Sequence, residues 1–141
     1  MNPTYSIGMV LFPDFELLDV FGPLEMFGMA PETFSIHLIA EKAGAIASRQ
    51  GPKSVVELSF ADPPHFDILF VPGGPGTRIE VDNAVLLDWL REHAKGVEYV
   101  ASVCTGSALL AKAGVLDGLR ATTNKRAFEW ATAQSDKVTW V

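Results

Sequence analysis

The sequence has only one cysteine and three histidines, and basic residues are in the minority. The single cysteine, Cys104, excludes an internal disulfide and any metal site built from several cysteines. The 11 Lys and Arg residues against 17 Asp and Glu residues give a formal net charge of -6 at pH 7. We therefore expect that this domain alone does not bind nucleic acid, because basic surfaces hold phosphate backbones.

Long apolar runs and targeting signals are also missing. No stretch approaches the roughly 20 apolar residues that cross a bilayer, and residues 1–4 (MNPT) lack the charged start of a signal peptide. Together with the low cysteine content, this predicts a cytoplasmic protein without a membrane partner. Hydrophobic residues make up 48% of the 141 residues, which is enough for the core of one domain.

The hydrophobic pattern predicts strands that alternate with helices. Strand-length apolar runs cover residues 5–12, 34–40, 67–71 and 97–103, and short strands are predicted at 119–123 and 138–141. A hairpin that turns at Gly51-Pro52 is predicted within 45–58, and Asp62-Pro63-Pro64 is predicted to be a loop. Continuous apolar strands between helices indicate an α/β fold with a mostly parallel sheet and helices on both faces.

The helical segments carry apolar residues at helical spacing and recognisable end signals. Helices are predicted over 15–29, 82–95, 105–113 and 125–133. The pair Gly22-Pro23 should divide the first of them into two pieces. Asp82 is expected to cap the second helix.

The lone cysteine lies in the segment SVCTGS, residues 102–107, where a predicted buried strand meets a predicted helix. A side chain on such a sharp turn projects from the carboxyl edge of the sheet, as in Gly-x-Ser-x-Gly nucleophile turns. The amide dipoles of the following helix would favour the thiolate over the thiol. Two interpretations remain open, a nucleophilic Cys104 and a buried Cys104 that packs as a small hydrophobic residue.

A second segment, VPGGPG at residues 71–76, also follows a predicted buried strand. Glycines allow close approach to a ligand, and their N–H groups can stabilise developing negative charge. The amides of Gly73 and Gly74 are therefore interpreted either as an oxyanion site shared with the Thr105 amide or as a tight exit from the strand. The segment matches neither the dinucleotide-binding nor the phosphate-binding glycine motif.

Asp19 is the unusual acidic residue, because it lies in the apolar stretch LLDVF, residues 17–21. Burial would favour the neutral carboxyl, which could then exchange a proton with a neighbouring thiol. The alternative is an ordinary carboxylate on the surface of a helix. His37, His65 and His93 lie in unrelated predicted elements, so we predict neither a Cys–His pair nor a metal site.

Several segments together resemble the ThiJ/PfpI superfamily, whose flavodoxin-like fold is shared with class I glutamine amidotransferases. The matching segments run over nearly the whole chain: LFP at 11–13, LDVFGPLE at 18–25, FDILFVPGG at 66–74, SVCTGS at 102–107, LDG at 116–118 and ATT at 121–123. The Asp-x-x-Gly-Pro and Val-Cys-Thr-Gly-Ser motifs are most similar to the isocyanide hydratase branch. In that branch an aspartate, here Asp19, replaces the glutamate that lies beside the cysteine in many other members.

The resemblance implies a cofactor-independent lyase, of the carbon–nitrogen hydro-lyase type, that acts on a small electrophilic isocyanide. Cys104 would be the nucleophile and Asp19 the general acid and base, while the amides around Gly73, Gly74 and Thr105 would stabilise charge. A thioimidate on the cysteine would take up water and release an N-substituted formamide. The resemblance also implies a homodimer. Two alternatives stay open: the ligand-sensing domain of an AraC-type transcription regulator, and a redox or carbonyl-stress protein that uses Cys104.

The chain departs from the superfamily pattern in two places. Many relatives have a histidine after Ala-Thr-Thr that can reach the cysteine, but here Asn124 and Lys125 follow. This difference argues against a cysteine–histidine hydrolase. Relatives also continue with a further strand and closing helices beyond the region of Val141. We therefore expect residues 1–141 to be a single ThiJ/PfpI domain that lacks its C-terminal strand and helices.

Overall fold

The centre of the computed structural model, which describes residues 4–61 and 63–141, is a parallel sheet. Its five strands are β1 (Tyr5–Val10), β2 (Phe34–Ala40), β5 (Leu58–Ser59), β6 (Ile68–Val71) and β7 (Tyr99–Ser102). They lie in the order β5-β2-β1-β6-β7, and every pair of neighbours is parallel. The predicted mostly parallel sheet is confirmed. The strand predicted at 97–103 was expected to be buried, but β7 is half exposed because it forms an edge of the sheet.

Helices flank this sheet, as the α/β prediction requires. Within the described ranges they are α1 (Leu17–Gly28), α2 (Thr77–Glu80), α3 (Ala84–Ala94), α4 (Gly106–Lys112) and α5 (Phe128–Thr132), with a 3₁₀ turn at Lys125–Ala127 before α5. Helix α4 contacts α2, α3, α5 and β6, so it lies at the centre of the helical packing. The four-residue α2 was not predicted, because it begins directly after the proline- and glycine-rich segment.

Helix α1 runs without a break through the Gly-Pro pair, so the prediction of two helical pieces was wrong. Proline has no N–H, and Pro23 therefore leaves the carbonyl of Asp19 without its usual helical donor. Val20 is completely buried, and Leu24 and Phe27 pack against the core. Burial of this helix face compensates for the missing hydrogen bond.

The opposite face of α1 is apolar but exposed. Its large exposed side chains are Leu18, Phe21, Met26 and, one residue beyond the helix, Met29. An exposed apolar face of this kind is typical of a surface that a partner covers. The homodimer implied by the resemblance is not tested by a single chain and stays a prediction.

The smaller elements agree with the sequence in outline. Strands β3 (Gly44–Ala47) and β4 (Lys53–Val56) form the predicted antiparallel hairpin, with Gly51 at φ 107° in its turn. The short strands β8 (Arg120–Ala121) and β9 (Thr139–Trp140) pair in parallel, apart from the main sheet. The proline pair at 63–64 lies in the predicted loop, whereas Asp62 lies outside the described residues.

Two further expectations concern the location of the protein and its domain organisation. None of the helices formed by residues 4–61 and 63–141 is both long enough and apolar enough to cross a membrane. The cytoplasmic location stays a prediction. The single domain at 1–141 without its C-terminal elements also stays a prediction, and residues 1–3 of that range lie outside the described part.

Helix α3 is capped by Asn83 and not, as predicted, by Asp82. The Asn83 Oδ1 accepts a hydrogen bond from the Val85 N–H at 3.1 Å. Its Nδ2 group donates to the carboxylates of Glu41 and Glu80 at 3.0 and 2.8 Å. The prediction failed because both Asp82 and Asn83 are good capping residues, and the preceding helix α2 decides which of them adopts the extended capping conformation.

The substitution Asn83→Ala is expected to lower the free energy of unfolding by about 1 kcal/mol, because α3 loses its N-terminal hydrogen bond. The matched control is Asp82→Ala, which should change that free energy by less than about 0.5 kcal/mol. Urea denaturation followed by circular dichroism measures both. An equal loss in the two variants would contradict the assignment of the cap.

Candidate active site

Three chain segments meet at the carboxyl edge of the parallel sheet. Asp19 lies in the first turn of α1, Gly73 and Gly74 follow β6, and Cys104 follows β7. Strand β1 leads through α1 to β2 on one side of the sheet, whereas β6 and β7 lie on its other side. The site therefore lies where the strand order reverses, the position at which open α/β sheets bind ligands.

Cys104 adopts a backbone conformation that is rare for a residue with a side chain. Its φ is 54°, in the left-handed region, and the residue is partly exposed rather than sealed in the core. The Thr123 and Ser107 hydroxyls both donate to the Cys104 carbonyl at 3.3 Å. Such strain persists only where surrounding contacts hold it, and it is found at nucleophile turns. The packing role for a buried cysteine is therefore not what the structure shows.

Asp19 is only 9% exposed, so it is not a carboxylate on the helix surface. Its Oδ2 atom accepts a hydrogen bond from the Gly73 N–H at 3.0 Å. Burial raises the pKa of Asp19 above its ordinary value of 3.8, and the negative charge of Glu16 raises it further. The hydrogen bonds from Gly73 and from the Cys104 side chain lower this pKa, but burial prevails. The protonated carboxyl thus persists to a higher pH than in a free aspartic acid.

The Cys104 side chain and the Asp19 carboxyl belong to one site. A Cβ atom at residue 73 would lie 2.9 Å from Asp19 Oδ2 and 2.6 Å from the nitrogen of Thr105, the residue after Cys104, so the carboxyl adjoins the cysteine turn. The Cys104 side chain lowers the pKa of Asp19, and its effect is the smallest of the four. The structure therefore brings together the two residues that the sequence singled out. Their catalytic roles stay predictions.

The two glycines after β6 support this pair through tight packing. A Cβ atom on Gly73 would lie 2.6 Å from the Thr105 backbone nitrogen and 2.9 Å from Asp19 Oδ2. The Gly74 residue has φ 117°, and its N–H donates to Thr105 Oγ1 at 3.1 Å. Only glycine fits both positions without a shift of the backbone.

These contacts bear on the predicted oxyanion donors. The N–H groups of Gly73 and Gly74 already donate to Asp19 and Thr105. No acceptor for the Thr105 N–H is found in residues 4–61 and 63–141. Of the three amides, that of Thr105 can therefore donate to a ligand without losing an existing hydrogen bond. The roles of Gly73 and Gly74 toward a ligand stay predictions. In the structure, their N–H groups hold Asp19 and Thr105 in position.

Asn124 is the site residue that the sequence analysis missed. Its Nδ2 group donates to Cys104 Sγ at 3.2 Å. Its Oδ1 atom accepts from the backbone N–H groups of Arg126 and Ala127 at 2.9 and 3.1 Å, which orients the amide nitrogen toward the sulfur. The signal was available, because asparagine before a helical turn is a preferred cap. An amide donates a hydrogen bond but does not exchange a proton at neutral pH.

The histidines have roles elsewhere. The ring centroid of His37 lies 5.9 Å from that of Phe66, and His93 stacks on Trp89 at 4.2 Å. His65 pairs with Asp67 at 3.7 Å. Groups of three or more His, Cys, Asp or Glu side chains placed to hold a metal ion do not occur in the described part of the chain.

A cavity of about 360 Å³ lies between Phe12, Ile46 and Phe60, apart from this chemistry. Neither Cys104, Asp19 nor Asn124 lines it. A cavity alone does not define a reactive site. We place the candidate site at Cys104, where the strained turn, the buried carboxyl and the amide donor meet.

A parallel sheet flanked by helices, with a strained cysteine turn at its carboxyl edge, defines an α/β protein of flavodoxin-like architecture. The sequence profile of the DJ-1/PfpI family, also written ThiJ/PfpI, matches residues 5–139. The chain therefore belongs to the DJ-1/PfpI family, and the resemblance inferred from its motifs is confirmed.

Individual relatives differ in function. The chain is 37% identical to the isonitrile hydratase of Pseudomonas putida over 119 residues, which are 84% of this chain and 52% of that protein. It is 31% identical to a deglycase of Thermococcus kodakarensis over 111 residues, covering 77% of this chain and 66% of the deglycase. Transcriptional regulators of Pseudomonas aeruginosa are among the weaker matches. The chain spans about half the length of the hydratase.

A solved structure supports the fold. A ThiJ/PfpI family protein from Pseudomonas syringae superimposes with a TM-score of 0.80 at 31% identity. The superposition covers 84% of this chain and 50% of the Pseudomonas syringae chain. The observed sheet and helices are therefore those of the family.

The substitution Gly73→Ala is expected to lower the free energy of unfolding by about 1–3 kcal/mol, because the new Cβ overlaps the Thr105 amide and the Asp19 carboxyl. Gly96→Ala is the matched control, since the nearest atom to its Cβ would lie at 3.9 Å. Urea denaturation compares the two variants. If Gly73→Ala were as stable as Gly96→Ala, the tight packing at residue 73 would be disproved.

The raised pKa of Asp19 predicts a characteristic pH dependence of stability. The fold favours the protonated carboxyl, so its stabilising contribution is complete below pH 3.8 and is lost as the pH rises through the folded-state pKa. The free energy of unfolding of the wild type minus that of Asp19→Asn should therefore fall between acidic and neutral pH. Urea denaturation across that range measures the difference. A difference that rises with pH would mean that the pKa is lowered.

Proposed function

We propose that this chain carries the reactive cysteine site of an isocyanide hydratase-like lyase, which converts an isocyanide into an N-substituted formamide. The observation that carries the proposal is the buried Asp19 carboxyl, with a raised pKa, beside the strained turn of Cys104. The 37% identity to an isonitrile hydratase supports it. Because the chain spans half of that relative, the activity is proposed for the protein to which this site belongs.

The first step forms a bond between Cys104 Sγ and the terminal carbon of the isocyanide. The sulfur attacks as a thiolate, and the Asn124 N–H at 3.2 Å stabilises negative charge on it. Asp19 donates its proton to the same carbon as the S–C bond forms. The product is a thioimidate on the cysteine and a carboxylate at residue 19.

The second step consumes water and restores the enzyme. The Asp19 carboxylate takes a proton from water while the water oxygen bonds to the thioimidate carbon. The remaining water proton is transferred to the nitrogen, the C–S bond breaks, and the formamide leaves. Cys104 returns as the thiolate and Asp19 as the acid, so one isocyanide and one water give one formamide. The free N–H of Thr105 is the donor placed to stabilise charge on the oxygen.

The raised pKa of Asp19 suits this sequence of proton transfers. Its protonated form is the one that the first step requires, and burial keeps it populated at higher pH than in a free aspartic acid. The Gly73 N–H holds Oδ2 in place through a hydrogen bond. This backbone amide does not give up its proton to the carboxylate. The residue can therefore act first as acid and then as base.

The decisive experiment follows formamide production from an alkyl and an aryl isocyanide. Cys104→Ala should abolish turnover, and Asp19→Asn should reduce kcat by roughly 100-fold or more, because general acid and base catalysis is lost. Asp82→Asn, an exposed carboxylate outside the site, serves as the matched control and should retain wild-type activity.

Two other results would contradict the proposal. If the folded wild type turns over neither isocyanide, or if Cys104→Ala retains activity, the hydratase chemistry is wrong. Intact mass after mild peroxide then tests the redox alternative, which requires two added oxygens on Cys104. A longer reading frame with a helix-turn-helix domain would favour the sensor alternative.

A further inference from the structure

A shallow pocket of about 490 Å³ lies between Arg78 of α2 and the segment that runs from Lys125 to Trp130. Three of its residues are basic, Arg78, Lys125 and Arg126, and one is acidic, Glu129. The local excess of positive charge is opposite in sign to the net charge of the whole chain, which is -6. A locally basic pocket on an acidic protein focuses an attractive field on anions.

Both walls of this pocket are connected to the turn that carries the reactive sulfur. On one wall, Asn124 directly precedes Lys125 and donates to Cys104 Sγ at 3.2 Å. On the other, Thr77 directly precedes Arg78, and its hydroxyl donates to Thr105 Oγ1 at 3.0 Å. Successive Cα atoms are only about 3.8 Å apart. Both walls of the pocket therefore adjoin residues that contact the Cys104 turn.

Two of the three cations in the pocket lie against aromatic rings. The Arg78 guanidinium lies 4.3 Å above the Trp130 ring, and Lys125 Nζ lies 4.7 Å from the Phe128 ring centroid. Among the ion pairs formed by residues 4–61 and 63–141, none within 4.0 Å involves Arg78, Lys125 or Arg126. The contact with Trp130 holds the guanidinium group without using its N–H groups, which can therefore bind an acid.

The three basic residues differ in their availability. Lys125 Nζ already donates to Thr122 Oγ1 at 2.8 Å and to the Val141 carbonyl at 3.2 Å, so it contributes mainly charge. Both Arg78 and Arg126 are exposed, and their guanidinium groups form no ion pair in the described part of the chain. A planar guanidinium matches the two oxygens of a carboxylate.

We propose that this pocket binds a carboxylate of the substrate while the electrophilic carbon lies at Cys104. The inference rests on the proposed hydratase function and narrows its substrate class to isocyanides that carry a carboxylate group. Arg78, oriented by Trp130, is the specificity-determining residue, and Arg126 supports it. The carboxylate remains unchanged in the reaction and serves only to orient the molecule.

The first test compares two isocyanides of nearly equal size, 4-isocyanobenzoate and its methyl ester. The wild type should have a kcat/KM for the acid that is roughly 10- to 100-fold higher than for the ester, because hydrogen bonds between charged groups are the stronger ones. Arg78→Gln should reduce this acid-to-ester ratio about tenfold or more. Arg120→Gln removes the same charge from an exposed position outside the pocket and should preserve the ratio.

The second test does not depend on turnover. In Cys104→Ala, calorimetry should show 4-formamidobenzoate binding at least about tenfold more tightly than its methyl ester. Either Arg78→Gln or Arg126→Gln, each checked for folding by circular dichroism, should remove this difference. Such binding in a protein whose wild type converts no isocyanide would support the pocket and contradict the hydratase. Turnover with equal kcat/KM for acid and ester, or binding that both variants leave unchanged, would overturn the pocket.

Discussion

The hydrogen bond from the Gly73 N–H to Asp19 Oδ2 connects the two halves of the site. It joins the first turn of α1 to the exit of β6, across 54 residues of sequence. It forms because residue 73 has no side chain, since a Cβ would overlap both Asp19 and the Thr105 amide. The buried carboxyl is thereby held beside the strained turn of Cys104, and the chemistry proposed for the site depends on that placement.

Asn124 places an amide donor beside the cysteine. Many members of the superfamily that the motifs resemble have a histidine after Ala-Thr-Thr, and a histidine can both donate and accept a proton. The asparagine of this chain reaches the sulfur but only donates a hydrogen bond. The proposed mechanism therefore assigns proton exchange to Asp19, whose raised pKa follows mainly from burial. This division of roles argues against hydrolysis by a Cys–His pair. It favours a reaction in which one carboxyl acts first as an acid and then as a base.

The features of the fold that depend on local pattern could be predicted from the sequence. Continuous apolar runs indicated the parallel strands, and the position of Cys104 between strand and helix indicated its turn. Features that depend on tertiary contacts could not. The passage of α1 through Pro23 depends on burial of one helix face, and the contact between Asn124 and Cys104 joins residues 20 positions apart. The internal acceptors of the Gly73 and Gly74 amides likewise become visible only when the three segments meet.

A carbon-13 NMR titration of the Asp19 carboxyl measures whether Asp19 and the Cys104 side chain lie in one site. The account predicts a pKa above 3.8 in the wild type. A change of that pKa in Cys104→Ala is also expected, because the Cys104 side chain lies beside the Asp19 carboxyl. A carboxyl that titrates at or below 3.8, or that titrates identically with and without the thiol, would contradict the account.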